Sequence, residues 1–277
     1  MKELLINCFQ DTLEMCEASA LAEATEKAKK STKVYWENHT YGQTHLLQSF
    51  NEIRVVEGTS FATAKKYIGQ GKIGVLNFAN PHNPGGGVAN GAMAQEECLC
   101  RSSNLYPCLL VPEAINEYYN YNKRITNNFF SDRIIYTDNV TVFKTDDTVP
   151  VLMPESEWFN VSVLTCAAPY LGGRKYTNKK ALEELFVQRI LNILDVAWEN
   201  HIDILIFGAF GCGAFKNPPE IVASAFHKAL ECCGILDFKK IVFAIKPNNS
   251  NSSNYYAFLM NFVIKAVHHC KFLSCHP

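Results

Sequence analysis

Four short apolar runs most constrain what this chain can fold into: KIGVLNFAN at 72–80, NVSVLTCAAP at 160–169, the start of DILIFGAFGCGAF at 203–215, and KKIVFAIKP at 239–247. Each is continuous rather than alternating, so each reads as a strand covered on both faces. Helical patterns separate the later ones. Residues 178–200 place Leu182, Leu185, Phe186, Ile190, Ile193, Leu194 and Ala197 on one stripe. Residues 217–233 open on Asn217 and a Pro218-Pro219 pair, and 254–267 make a last helix. This alternation predicts an α/β/α sandwich with much parallel pairing.

The first half is less regular. Residues 11–31 read as one helix, with lysines late. IRVVEGTS at 53–60 reads as a strand and a helix start capped by Thr59 or Ser60. RIIYTDNVTVFKTD at 133–146 is a bent strand or a hairpin around Thr137-Asp138-Asn139, and PNNSNSSN at 247–254 a polar surface loop. No repeat or composition break marks a linker. We expect one domain over 1–277, with an N-terminal helical extension over 1–50 and a core over 51–277.

Charge and cysteine exclude several classes. With 26 basic against 27 acidic residues, no general field draws in nucleic acid, so no sequence-specific nucleic-acid partner is expected. Eleven cysteines, some inside apolar segments such as Cys166 and Cys212, argue against a disulfide framework and for a reducing compartment. The first twenty residues lack a signal-peptide core, and no apolar run approaches a membrane span. The expectation is an intracellular protein, cytoplasmic or, in a eukaryote, nuclear, with no membrane partner. Cys98 and Cys100, Cys232-Cys233, His268-His269-Cys270 and Cys275-His276 form no pair-plus-pair spacing, so neither a metal nor another cofactor is expected.

Ligands of such folds bind outside the carboxyl ends of strands, and both glycine clusters fall there. GAFGCGAF at 208–215 sits between a strand and a helix, with Gly208, Gly211 and Gly213 free of side chains. Its backbone suits a phosphate or diphosphate, although it is neither a Walker A loop nor G-x-G-x-x-G. A plain strand-to-helix turn is the other reading. The first cluster, Gly85, Gly86 and Gly87, is followed after seven residues by Gln95, Glu96 and Glu97. Consecutive glycines are entropically costly, which argues for a ligand or a close approach. Adjacent helical residues point about 100° apart, so Glu96 and Glu97 cannot do one job.

GGG, seven residues, then QEE resembles the signature of poly(ADP-ribose) glycohydrolases. NFANPHNPGGG and GAFGCGAFKN resemble the catalytic-loop entry and diphosphate loop of the short, bacterial-type branch. The resemblance covers residues 10–267 in order. It implies a macrodomain-like three-layer α/β/α sandwich with a mixed sheet and an N-terminal helical extension. It further implies hydrolysis of the ribose–ribose O-glycosidic bond of poly(ADP-ribose), mainly from the polymer end, releasing ADP-ribose. By motif, Glu97 matches the catalytic acid and Glu96 the carboxylate that positions ribose hydroxyls. Asn80 matches the asparagine touching the distal ribose, and Gly85, Gly86, Gly87 and Gln95 match the catalytic loop and its helix. Gly208, Gly211, Cys212, Gly213, Ala214 and Phe215 match the diphosphate loop. Where the family continues Gly-Asn-Asp, this chain has Lys216, Asn217 and Pro218. Tyr170 is a candidate for the adenine pocket. A non-catalytic ADP-ribose reader, or a hydrolase of ADP-ribosylated proteins or O-acetyl-ADP-ribose, are the alternatives. A reader would need the loops but not the acidic pair.

Overall fold

In the computed structural model, residues 1–36, 52–173, 177–232, 238–246 and 252–264 are described. Their strands are β1 (Lys33–Tyr35), β2 (Ile53–Glu57), β3 (Ile73–Phe78), β4 (Ile134–Val142), β5 (Phe159–Cys166), β6 (Ile204–Phe207) and β7 (Lys240–Ile245). They form one sheet in the order β1-β4-β5-β3-β6-β7-β2. β5, β3, β6, β7 and β2 run parallel, β4 is antiparallel to β5, and β1 is antiparallel to β4. The sheet is therefore mixed, with a parallel body.

Successive strand residues point to opposite faces. On one face Val75, Val163, Ile204, Ile206, Val242 and Ala244 meet Phe61, Ala64, Leu99, Leu105 and Leu109. Those residues come from α3 (Ser60–Lys65), α4 (Gln95–Ser102) and α5 (Leu105–Leu109). On the other face Leu76, Leu164, Leu205, Phe207, Ile241 and Phe243 meet Leu182, Phe186, Ile190, Val222, Phe226 and Phe258. These lie on α7 (Lys179–Glu199), α8 (Pro219–Cys232) and α9 (Ser252–Leu259). Two apolar layers explain why the central strands are mostly apolar on both faces, and they make the expected three-layer sandwich.

Several expectations need correction. The single helix over 11–31 is two helices, α1 (Lys2–Glu17) and α2 (Ser19–Ser31), broken where Ala18 turns extended at φ −72° and ψ 151°. The same N-terminal segment also carries β1, an edge strand beside β4; residues 37–51 lie outside the described residues. Of the two readings of 133–146, the bent strand holds: β4 has a register shift between Thr137 and Val140, with Asn139 at φ 56°. The expected 247–254 loop falls mostly outside the described residues, and α9 already begins at Ser252. After Leu259 the helix continues as a π-helical stretch, Met260–Ile264. A helical run between α5 and β4 was not foreseen: a π-helical Ala114–Tyr119 followed by α6 (Asn120–Asn122).

α1 is docked against the body by polar contacts. The buried Lys144 ammonium donates to Cys8 O at 2.9 Å and Thr12 Oγ1 at 2.7 Å, and pairs with Asp11 at 2.5 Å. Thr12 in turn donates to Arg101 O of α4 at 2.6 Å. The helix that carries the acidic pair is thus braced from behind by the N-terminal extension.

Candidate active site

The parallel body ends in a cavity of about 540 Å³ at the carboxyl ends of β2, β3, β5, β6 and β7. After β3, Asn80 Oδ1 accepts the backbone N–H groups of His82 and Asn83, both at 2.9 Å, and so turns the chain into the first glycine loop. Gly86 is left-handed at φ 59°, and a Cβ there would overlap Glu97 Oε1 and come within 3.1 Å of Glu96 Oε2. Gly86 is glycine because its backbone packs directly on both carboxylates, while Gly85, at φ 66°, and Gly87 make room for Tyr106 and Ala92.

α4 presents those carboxylates with different tasks. Glu96 is fastened at both oxygens: Asn80 N–H donates to Oε2 at 2.6 Å and Asn77 Nδ2 to Oε1 at 3.4 Å. Burial pushes its carboxyl up to about 8; the neighbouring charge of Glu97 adds to this, while the hydrogen bonds from Asn80 and Asn77 oppose it. Glu97 is fastened only at Oε1, by Gly87 N–H at 2.9 Å. Its Oε2 is buried and has no hydrogen-bond partner among the described residues. Both glutamates line the cavity.

Gln95 also lines the cavity, but its amide serves the scaffold rather than a ligand. Its Nε2 donates to Leu76 O at 2.8 Å and Ser60 Oγ at 3.0 Å, and its Oε1 accepts Phe78 N–H at 2.9 Å. It clamps α4 to the end of β3, which fixes where the glutamates point. Gly85, Gly86 and Gly87 stand behind the carboxylates and are not among the lining residues.

The second loop contributes Gly211, Gly213, Ala214 and Phe215 to the cavity. Gly211, at φ 74°, has Ala168 and Asn217 where a Cβ would go. Asn217 donates from Nδ2 to Pro169 O at 2.7 Å and Gly211 O at 2.9 Å, so this residue of the Lys216-Asn217-Pro218 departure staples the loop to the chain after β5. Among the described residues, the N–H groups of Gly213, Ala214 and Phe215 donate to no backbone carbonyl, which leaves three donors for an anion. Gly213 itself has open space around it and no positive φ. The sequence reading of two members needs correction. Gly208 is a packing glycine, since a Cβ would lie 2.8 Å from both Ala244 O and Phe78 Cζ. Cys212 is a buried thiol whose acidity burial suppresses, and it is off the cavity wall.

Thr59, Asp146, Asp147, Lys246 and Asn254 also line the cavity and were missed. Thr59 lies two residues after β2 and Lys246 directly follows β7, so the strand-end rule could have found them. Asp146 accepts Phe61 N–H at 2.9 Å and carries no motif that would announce it. Tyr170, the adenine candidate, is not a lining residue; it packs edge-on against Phe215 with centroids 5.3 Å apart. Among the described residues, no group of three or more His, Cys, Asp or Glu side chains is placed to hold a metal ion.

A family model described as microbial-type PARG (poly(ADP-ribose) glycohydrolase), catalytic domain, matches residues 8–145. The poly(ADP-ribose) glycohydrolase of Deinococcus radiodurans, solved in complex with ADP-ribose, is 30% identical; the match covers 87% of this chain and 97% of that one, with a TM-score of 0.75. The chain belongs to the microbial-type poly(ADP-ribose) glycohydrolase family. The glycohydrolase of Thermomonospora curvata is 28% identical over 93% of this chain and 99% of its own, with a TM-score of 0.81. Its complex with the inhibitor ADP-HPD matches at 27% identity over the same shares, with a TM-score of 0.78. No curated protein matches. The family model spans α1 to β4 and so contains the first glycine loop and the acidic pair. The second loop lies beyond it and shares in the glycohydrolase likeness through the structural matches.

Proposed function

We propose that this protein hydrolyses the ribose–ribose O-glycosidic bonds of poly(ADP-ribose), mainly from the polymer end, releasing ADP-ribose. The observation that carries the mechanism is the unequal fastening of the acidic pair. Glu96, held at both oxygens, is suited to position ribose hydroxyls. Glu97, with one oxygen held and one unpartnered beside the cavity, is suited to move a proton. A non-catalytic reader would not require a carboxyl oxygen buried without a partner, which is a costly arrangement.

In this reading the diphosphate lies on the free amides of Gly213, Ala214 and Phe215, and Asn80 and Phe215 touch the distal ribose. The bond from the anomeric carbon to the 2′-oxygen of the next unit breaks through an oxocarbenium-like state. Glu97 gives its proton to that oxygen, water bonds to the anomeric carbon, and a water proton returns to Glu97. ADP-ribosylated proteins follow as carriers of the substrate. Incubating the protein with poly(ADP-ribose) and resolving the products by size tests the assignment. ADP-ribose release is expected; polymer that stays intact while ADP-ribose still binds would make the protein a reader. We further propose an intracellular setting, which fractionation of the source cells would test.

A further inference from the structure

Outside the cavity, the aromatic wall begun by Phe215 continues. Tyr170 meets Phe215 edge-on, Phe130 lies 6.5 Å from Phe215 between centroids, and His82 of the first loop meets Phe130 edge-on at 5.4 Å. None of the three lines the cavity; Tyr170 is 41% exposed and Phe130 half-buried. Their rings therefore present surface to whatever emerges past Phe215.

The wall is held rigidly. Tyr170 N–H donates to Asn128 O at 2.7 Å, and Leu171 N–H to Phe215 O at 3.0 Å. The fully buried Arg189 donates from Nη2 to Phe129 O at 2.8 Å and to Phe130 O at 3.3 Å, and pairs through Nε with Asp132 at 2.7 Å. That clamp keeps Phe130 left-handed at φ 59°, a conformation that bulky residues avoid. Lys216, next to Phe215, is left-handed too at φ 61°. Four described non-glycine residues have positive φ, and two of them flank Phe215. Such strain gathers where a surrounding structure holds residues for use.

Resting on the glycohydrolase reading, we propose that Phe130, Tyr170 and the outer edge of Phe215 form a stacking shelf for the adenine of the leaving unit. In poly(ADP-ribose) the departing oxygen is the 2′-hydroxyl of an adenosine, so a base hangs from the very ribose that leaves. Phe215 is the ring assigned to the distal ribose, and the departing adenosine emerges among its neighbours. Every base has a π-face, and a base–aromatic stack strengthens binding about tenfold or more. Lys216, exposed and next to Phe215 in the chain, would offer its ammonium to that unit's diphosphate.

Calorimetry in a Glu97→Gln background, which keeps the polymer intact, isolates the shelf. The probes are ADP-ribose and the purified dimer of ADP-ribose. The dimer is expected to bind about tenfold more tightly than ADP-ribose. Tyr170→Ala should remove most of that preference without changing ADP-ribose affinity, and Tyr170→Phe should keep it. Phe130→Gly, which accepts φ 59° without strain, should act like Tyr170→Ala. Lys216→Gly should weaken dimer binding more at low salt than at high salt. Equal affinity for dimer and monomer, a preference untouched by both ring variants, or an equal loss of both ligands would overturn the shelf. Wild-type turnover of the polymer separately tests the glycohydrolase reading. A protein that prefers the dimer without cleaving it keeps the shelf and loses the enzyme.

Discussion

Adjacent glutamates on one helix acquire different chemistry from what holds each oxygen. Glu97 is the group expected to move the proton, so Glu97→Gln should cut polymer hydrolysis by about 10²–10⁴-fold. Its amide can still accept Gly87 N–H, so ADP-ribose affinity by calorimetry should stay close to wild type; near-normal turnover in this variant would remove Glu97 from the mechanism. Glu96 makes a different prediction. The folded chain keeps its proton up to about 8, whereas an unperturbed carboxyl releases it near 4.5. Between those values the folded state binds more proton than the unfolded one, so raising the pH across this window lowers stability. Stability present below the ordinary carboxyl value is thus lost by about pH 8. Glu96→Gln removes that titration while still accepting Asn80 N–H. Thermal melts at about pH 5 and about pH 8.5 should show a smaller drop in the variant than in the wild type. Parallel pH trends would show that Glu96 does not hold its proton in the folded chain.

At the scale of elements, the two glycines of the second loop should part company. Gly211 needs its left-handed φ and the space occupied by Ala168 and Asn217, so Gly211→Val should destabilise the fold. Gly213 meets nothing within 4 Å, so Gly213→Val should fold normally and lose ADP-ribose affinity by shielding the loop's free amides. Unchanged affinity in a folded Gly213→Val protein would move the ligand elsewhere. The brace between α1 and α4 is equally specific. Thr12→Val removes the hydroxyl shared by Lys144 and Arg101 O and should cost about 1–3 kcal/mol in denaturant unfolding. These elements also show what a sequence can reveal. The strands covered by two layers are mostly apolar and were readable as such, with a few buried polar residues such as Asn77, Ser162 and Thr165. β1 was not, because three residues of an edge strand, Lys33–Tyr35, carry no period. The break at Ala18 was hidden because alanine favours helix on either side of it. In the site, the glycine loops and glutamates were legible because the chemistry restricts residue type there. The clamp made by Gln95 and the cavity contribution of Asp146 were not, since both depend on which backbone groups the fold brings near.

The whole molecule gathers five parallel strand ends around a cavity of about 540 Å³, a size suited to one dinucleotide-like unit rather than two. Gly58, Thr59 and Lys246 bound it at the ends of β2 and β7, and Asn80 and Phe215 at the ends of β3 and β6. A terminal unit of poly(ADP-ribose) continues into the polymer from one ribose only, whereas an internal unit continues from both. A cavity that encloses one unit therefore favours the terminal one, and free ADP-ribose should be the main product from the first time points. Phe215→Ala should lower turnover, because a slight misplacement of the reacting ribose can cost about 10²-fold. If Phe215 acts only on the distal ribose, this variant should slow ADP-ribose release without changing product lengths. A sizing gel of early time points distinguishes the cases. A ladder of medium-length oligomers appearing before free ADP-ribose, in the wild type, would show internal cuts and overturn cleavage from the polymer end.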